Sequence, residues 1–382
     1  MYQRLLTFLR CPACQGALEF EAFPPGPAGD TRDISEGLLH CPHDHWFPVV
    51  GGIPRMLPDA LKEHWHAIED HLETSTSPVV RRLLAQVRSV PNGRASYDQR
   101  TRENFSLEWE HHDLGGRTWG MDLDDRVRWF FLEPIRMEED QLDGKVMLDG
   151  GCGNGSQSVA YSRFGLEVIA LDLSSGLEHG HALRHSLPGA VPEKVHFVQG
   201  DLQAPPFAPS QFDLVHTAGV IHHTSDTLRT FRQLAPLVRP GGTYYVWVYR
   251  REPVVTPVVN SLRAVTTRIP PARFSRVATL AAPAFQVFCR TLNALGIRAY
   301  PNLSRRDAAL ALMDIFGAPY AHSHTVEEVK GWFESEGFAE AWSCNEDRRG
   351  FGVCGRRSEA TAHAHAAGAA MTTSNGPQAG QL

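Results

Sequence analysis

Hydrophobic positions in the middle of this chain come as short runs with few polar interruptions. Val146-Met147-Leu148, Val168-Ile169-Ala170-Leu171, Val195-His196-Phe197-Val198, Phe212-Asp213-Leu214-Val215 and Thr243-Tyr244-Tyr245-Val246-Trp247-Val248 each have strand length. Nearly continuous apolar runs of that length, without alternation, suit strands buried on both faces of a parallel sheet. Later the period changes. Val329, Trp332 and Phe333 share one helical face, Thr325-Val326-Glu327-Glu328 opens that helix as a capping box, and Gly337 stops it. Phe338–Ser343 and Phe351–Gly355, separated by Asp347-Arg348-Arg349-Gly350, predict a closing hairpin. Residues 59–95 predict one or two helices. The tail from Ser358, rich in Ala, Gly, Thr, Ser and His without apolar periodicity, is expected to be disordered.

The ends of the runs carry the chemistry. The first stops at Asp149-Gly150-Gly151-Cys152-Gly153-Asn154-Gly155, where Gly151, Gly153 and Gly155 recur at every second position. Glycine permits positive φ and lets a ligand lie against bare backbone, so a strand turns here into a helix around a binding loop. The D-x-G-x-G-x-G spacing resembles motif I of the class I S-adenosylmethionine (SAM) methyltransferases. The following segments resemble that family in order: Asp172 ends the second run, Gly200-Asp201-Leu202 the third, Phe212–His223 forms a fourth strand and its loop, and Arg239-Pro240-Gly241-Gly242 turns into the fifth.

That resemblance implies an α/β fold with a Rossmann-like seven-stranded sheet. It further implies SAM with its methionine end on Asp149, Gly150, Gly151, Gly153, Asn154 and Gly155, its ribose at Asp172 and Leu173, and its adenine near Gly200, Asp201 and Leu202, with Thr217 on the fourth strand. Tyr97, Phe105, Trp109 and Trp119 precede the first strand, where similar enzymes fold a lid over the cofactor. The organisation expected is a zinc-ribbon module over 1–58, a helical linker and lid over 59–135, a cofactor-binding core over 136–250, an Arg-rich helical cap over 251–324, and the last helix and hairpin over 325–357.

Cys11-Pro12-Ala13-Cys14 and Cys41-Pro42-His43-Asp44-His45 give the front segment its meaning. A C-x₂-C pair and a second knuckle converge on one tetrahedral Zn²⁺. The second half departs from C-x₂-C because Asp44 stands at the usual cysteine position. Cys41-x₃-His45 then completes a Cys₃His set, with His43 and Asp44 as competitors. Four protein ligands leave no open position, so the role is structural. The segment, with Trp46-Phe47-Pro48-Val49-Val50-Gly51-Gly52-Ile53-Pro54, resembles the zinc-ribbon activator of tRNA and protein methyltransferases, and the front end of bacterial rRNA guanine-N1 methyltransferases.

Methyl transfer asks the protein to align a nucleophile and, where needed, to take its proton. His222 and His223 follow the fourth strand and are candidate bases; packing against the cofactor and helix capping are the other roles open to them. His322 and His324 form a second candidate pair, and Asp314, Tyr320 and His324 are expected along one pocket wall.

Composition narrows the acceptor. The 382 residues are 42% hydrophobic and 21% charged, with a net charge of −6, which disfavours a general phosphate-binding surface. The seven cysteines form no disulfide framework and no signal pattern opens the chain, which fits the cytoplasm. No run has membrane-span length, so integral membrane contact is not expected. Between Arg250 and Arg306 lie ten arginines, among them Arg263, Arg273, Arg276 and Arg298, against the single acid Glu252, interleaved with valines and leucines. Such a surface suits an anionic lipid head group, a phosphate-linked substrate, RNA, or plain solvation. The reading is a methyltransferase for a small-molecule hydroxyl, amine or activated carbon, lipophilic or glycan-like. The alternative is an rRNA or tRNA base methyltransferase using the ribbon as RNA reader; it lacks aromatic-basic interleaving in the ribbon. Oligomeric state is not legible.

Overall fold

The computed structural model describes residues 1–23, 34–87, 99–110, 117–296, 299–300, 303–347 and 349–359. Tyr97, Arg298, Arg348 and the tail from residue 360 lie outside the described residues.

The front segment folds as a four-stranded antiparallel sheet, β1 (Glu19–Ala22), β2 (Gly37–His40), β3 (Trp46–Val50) and β4 (Ile53–Pro54), paired in that order. The main sheet contains β5 (Val146–Gly150), β6 (Glu167–Asp172), β7 (Val195–Gln199), β8 (Phe212–Ala218), β9 (Val238–Arg250), β10 (Ser323–His324), β11 (Phe338–Cys344) and β12 (Gly350–Arg357). Its order is β11-β12-β9-β8-β5-β6-β7, with β10 pairing in parallel to the end of β9. The seven strands read from the sequence are there; the two-residue β10 is too short to leave a pattern. β5 to β9 are parallel, while β12 runs antiparallel to both β9 and β11. Burial agrees with the apolar runs: every residue of β7 is buried, as are five of the six in β6. The turn expected at Pro240-Gly241-Gly242 is instead taken into β9, where Gly241 has φ 73° and the β8–β9 register shifts between Phe212 and Leu214.

The capping box at Thr325 forms: its side chain accepts from the Glu328 N–H, and the helix Val326–Ser335 buries Val329, Trp332 and Phe333. Between β4 and β5 come the helices Trp65–Thr74, Pro78–Val87 and Gln99–Glu110. After β9 the chain builds a helical hairpin, Val255–Thr266 and Pro271–Ala294, then Arg305–Leu312, which runs into a π-helical turn, Met313–Gly317.

The ribbon is packed onto the edge of the main sheet. Leu5, Phe8, Leu9, Phe47 and Met56 share one buried cluster with Leu171, Val198 and Phe207 of the core. The Met56 N–H donates to the Gln199 carbonyl at 2.7 Å, and buried Arg55 reaches Gln199 and Glu178 at 3.2 and 2.9 Å. Because Gln199 immediately precedes Gly200-Asp201-Leu202, the ribbon buttresses the strand end expected to meet adenine.

Candidate functional site

The C-terminal ends of β5, β6, β7 and β8 open on one cavity, of about 90 Å³, the usual ligand position in an open parallel sheet. Gly151, Asp172, Leu173, Gly200, Asp201, Leu202 and His223 line it, and the helix Gln99–Glu110 closes it with Thr101, Arg102, Phe105 and Trp109. The predicted loop glycines divide by role. Gly151, at φ 80°, faces the cavity, and a Cβ there would meet Val220 at 2.2 Å. Gly155, at φ 71°, permits close helix packing instead: its Cβ would lie 3.0 Å from Gly180 Cα and 2.5 Å from Phe197.

Asp172 binds the loop together. Its Oδ2 accepts from the Gly153 N–H at 2.8 Å, and Oδ1 accepts from the Ser174 N–H and hydroxyl at 2.8 and 2.6 Å. Burial raises its pKa against those bonds. A carboxylate oxygen has two lone pairs, so Oδ2 retains one acceptor position for a ribose hydroxyl rather than the full carboxylate. Burial likewise raises Asp201, whose Oδ1 accepts from the Gln203 N–H at 2.9 Å.

Asp149 is placed differently from the expectation. Its Oδ2 accepts from the Ser158 hydroxyl at 2.6 Å, and its Oδ1 lies 3.0 Å from His216 Nδ1. It does not line the cavity; it fixes β5 to β8 and to the helix beyond the loop. Gly150, Gly153, Asn154 and Thr217 are likewise not among the residues lining the cavity. Asn154 Oδ1 accepts from Ser156, and the Thr217 hydroxyl donates to the Tyr245 carbonyl at 3.3 Å. Glycines where side chains would collide, acceptor carboxylates at two strand ends and an aromatic lid fit SAM, with Asp172, Asp201 and Leu202 as the residues that would hold it.

Beyond Gly219, which lines both, lies a second cavity of about 70 Å³. Its walls include His222, Tyr249, Asp314, Trp247, Tyr300 and Trp119. The two histidines part here. His223 Nδ1 faces the Tyr320 carbonyl at 2.8 Å and Nε2 lies 3.0 Å from Asp314 Oδ1, so both nitrogens face protein acceptors. His222 is completely buried and, among the described residues, neither of its nitrogens has a hydrogen-bond partner. Burial, then the neighbouring imidazoles, hold its pKa well below the ordinary histidine value, which keeps the ring neutral. Its ring lies 4.1 Å from that of Tyr249, whose hydroxyl donates to Asp314 Oδ2.

His324 does not join them. It lines neither cavity; its Nδ1 bonds Glu328 at 2.8 Å and its ring stands edge-on to Trp332 at 4.8 Å. His322 anchors the turn instead, its N–H donating to the His222 carbonyl at 2.9 Å. Tyr320 lines the first cavity and Asp314 the second, so the expected wall of Asp314, Tyr320 and His324 is not a single surface.

Tyr249 and Tyr300 of the second cavity escaped the sequence reading, and so did one residue of the lid helix. Glu108, on the lid helix, is buried, and burial followed by the charges of Asp314 and Asp172 raises its carboxyl well above the usual range. The signal was available: Thr101, Asn104 and Glu108 make the buried face of that helix polar, against the apolar stripe a structural helix would show.

At the ribbon, one ligand atom from each of Cys11, Cys14, Cys41 and His45 lies within 4.8 Å of the others. Cys14 Sγ and Cys41 Sγ are 3.7 Å apart, and His45 Nδ1 lies 3.4 and 3.2 Å from Cys11 and Cys41. Two sulfurs about 2.3 Å from one zinc stand about 3.8 Å apart in a tetrahedron, so this set fits Zn²⁺. Of the competitors, Asp44 pairs with Arg82 at 3.1 Å, and His43 is exposed beside Cys14, outside the four-residue cluster.

Comparison with known proteins finds two family matches. Residues 148–246 match the methyltransferase domain family, and residues 3–52 match the Trm112p-like protein family. A ubiquinone biosynthesis O-methyltransferase of Xanthomonas campestris is 36% identical over 146 residues, 37% of this chain and 59% of its own length. That of Proteus mirabilis is 31% identical over 155 residues, again 59% of its length. The chain thus spans about three fifths of the curated relatives it matches. The solved magnesium protoporphyrin IX methyltransferase of Synechocystis, with bound SAH, aligns over 77% of this chain and 100% of its own at 14% identity, with a TM-score of 0.37. Residues 3–52 thus resemble a Trm112p-like protein and residues 148–246 a methyltransferase domain.

Proposed function

We propose that the chain transfers a methyl group from SAM to a small-molecule acceptor held in the cavity of His222, and that His222 takes the acceptor's proton. The observation that carries this reading is the buried, neutral His222 with both ring nitrogens unpartnered, on the wall of a cavity that adjoins the cofactor cavity at Gly219. Bound SAM would supply an electrophilic methyl group. The chain's own residues orient the acceptor hydroxyl or amine, exclude water through Trp119, Trp247 and Tyr300, and accept its proton at an imidazole nitrogen. Asp314, on the same cavity wall, holds the neighbouring His223 and the Tyr249 hydroxyl in place. His223, facing Asp314 and the Tyr320 carbonyl, is assigned to positioning.

The cofactor-binding part is assigned to 136–250 with 325–357, and the acceptor cover to 251–324. A structural zinc is assigned to Cys11, Cys14, Cys41 and His45. The RNA reading finds its support in the Trm112p-like match; the ribbon's apolar side chains are used in packing the core, which favours a buttress.

Turnover of His222→Ala with candidate phenol, catechol and amine acceptors tests the proposal. The expected result is a loss of about 10²–10⁴ in kcat with SAM affinity retained, because His222 lines the adjoining cavity. Wild-type kcat in this variant would remove His222 from the mechanism.

A further inference from the structure

Among the described residues, all ten large apolar side chains that stand exposed lie between Val254 and Leu295, on the helical hairpin that follows β9. This segment lies beyond the stretch that matches the methyltransferase family. On Val255–Thr266, the exposed Val255, Val258, Leu262 and Val265 recur at spacings of three and four, which makes one face. On Pro271–Ala294, Val277, Leu280 and Val287 form a second exposed stripe, while Phe274, Ala278 and Cys289 are buried on the other side of the same helix. A helix apolar on both sides has a second apolar partner to meet.

The charge around these stripes has one sign. From Pro253 to Arg306 the sequence contains eight arginines, no lysine and no acid, in a chain of net charge −6. Arg268, Arg273, Arg276 and Arg290 are exposed beside the apolar side chains.

The hairpin also covers a third cavity, of about 360 Å³. Val255 and Phe288, both from the exposed face, stand at its wall, and Val259, Cys289 and Leu292 continue it inward. The third cavity adjoins the cavity of His222 along Tyr249, Tyr300 and Arg349, which line both.

We propose that the hairpin seats the protein on an anionic lipid surface, and that the third cavity takes the apolar chain of a lipid-borne acceptor whose reactive group reaches His222. The acceptor half rests on the function proposed above. Apolar stripes enter the interfacial region while flanking arginines meet lipid phosphates. No helix among the described residues is long and apolar enough to cross a membrane, which agrees with a surface arrangement. A second copy of the chain fits less well, because an isologous contact through this face would set arginines against arginines.

Flotation of the full chain with vesicles of phosphatidylcholine, with and without phosphatidylglycerol, tests the docking. The expected result is at least about tenfold more protein on the anionic vesicles, lost in both Leu280→Asp/Val287→Asp and Arg273→Glu/Arg276→Glu. Equal binding to both vesicles, or binding kept by both variants, would overturn it. A wild-type dimer in sedimentation velocity that the variants dissolve, without vesicle binding, would make the face a self-association surface and overturn it too. The cavity is tested with cis-parinaric acid, whose fluorescence should rise on binding and fall at least tenfold in affinity in Val259→Trp; no binding, or equal binding, contradicts it. SAH calorimetry on the same proteins separates the two readings: a wild type that binds SAH but does not float removes the docking alone, and a wild type that floats but does not bind SAH removes the cofactor reading alone.

Discussion

Trp109 is fitted to Gly153: a Cβ on that glycine would stand 2.4 Å from the indole Cζ2. A Cβ on Gly176 would likewise meet Trp109 Cβ at 2.7 Å. The lid helix and the loop are thus complementary in shape, and Trp109 closes the cavity from the side of the chain that precedes β5.

Gly153→Ala should therefore do two things at once. Its φ of 58° is costly for alanine, and the methyl displaces the indole. We expect SAH affinity to fall by about 1–3 kcal/mol. Trp109→Ala should produce a smaller loss, seen mainly as a faster SAH off-rate in stopped-flow fluorescence. An unchanged off-rate in Trp109→Ala would show that the helix is not a lid.

The ribbon should hold one zinc per chain, measured by elemental analysis of protein purified without chelator. Cys41→Ala/His45→Ala should abolish it and lower the Tm, since the ribbon shares a buried cluster with β6 and β7. A metal ratio near zero in the wild type, or full metal retention in the double variant, would contradict the site.

Glu167 joins ribbon to core through Arg4 at 3.0 Å and buried His196 at 3.3 Å. Burial pushes its carboxyl up, but hydrogen bonds from His196 and Arg4 outweigh that and bring it down to about 2. A carboxyl depressed in the folded state stabilises fully above its ordinary value of 4.5 and loses that contribution as pH falls toward 2. Urea unfolding should lose about 2 kcal/mol across this window, and Glu167→Gln should flatten the dependence. An equally steep pH dependence in Glu167→Gln would assign the effect elsewhere.

The strands and the last helix were legible because each is encoded locally. Val168–Leu171 is apolar throughout as buried strands are, and Thr325 and Glu328 cap a helix from three residues apart. The site was legible only where it follows a strand end. His222 and His223 are equivalent in sequence; they are distinguished by Asp314 and the Tyr320 carbonyl, nearly a hundred residues later. Asp314 sits in the π-helical turn Met313–Gly317, which continues a helix without a break and leaves no pattern of its own. Asp149 was expected at the cofactor because of its place before the glycines, yet His216 and Ser158 engage it from segments that no local spacing connects. The Arg-rich segment was legible as basic and apolar, but its division into two exposed stripes over a cavity required the pairing of its two helices.

The central claim is that the β5–β8 strand ends hold SAM, with Asp172 as a direct ligand. Calorimetric titration of SAH into wild type and Asp172→Asn, with Tm measured for both, tests it most directly. The account predicts one SAH per wild-type chain and a loss of about 1.5–3 kcal/mol in the variant, roughly tenfold or more in Kd. Absence of SAH binding by the wild type, or equal affinity in a folded Asp172→Asn, would contradict it.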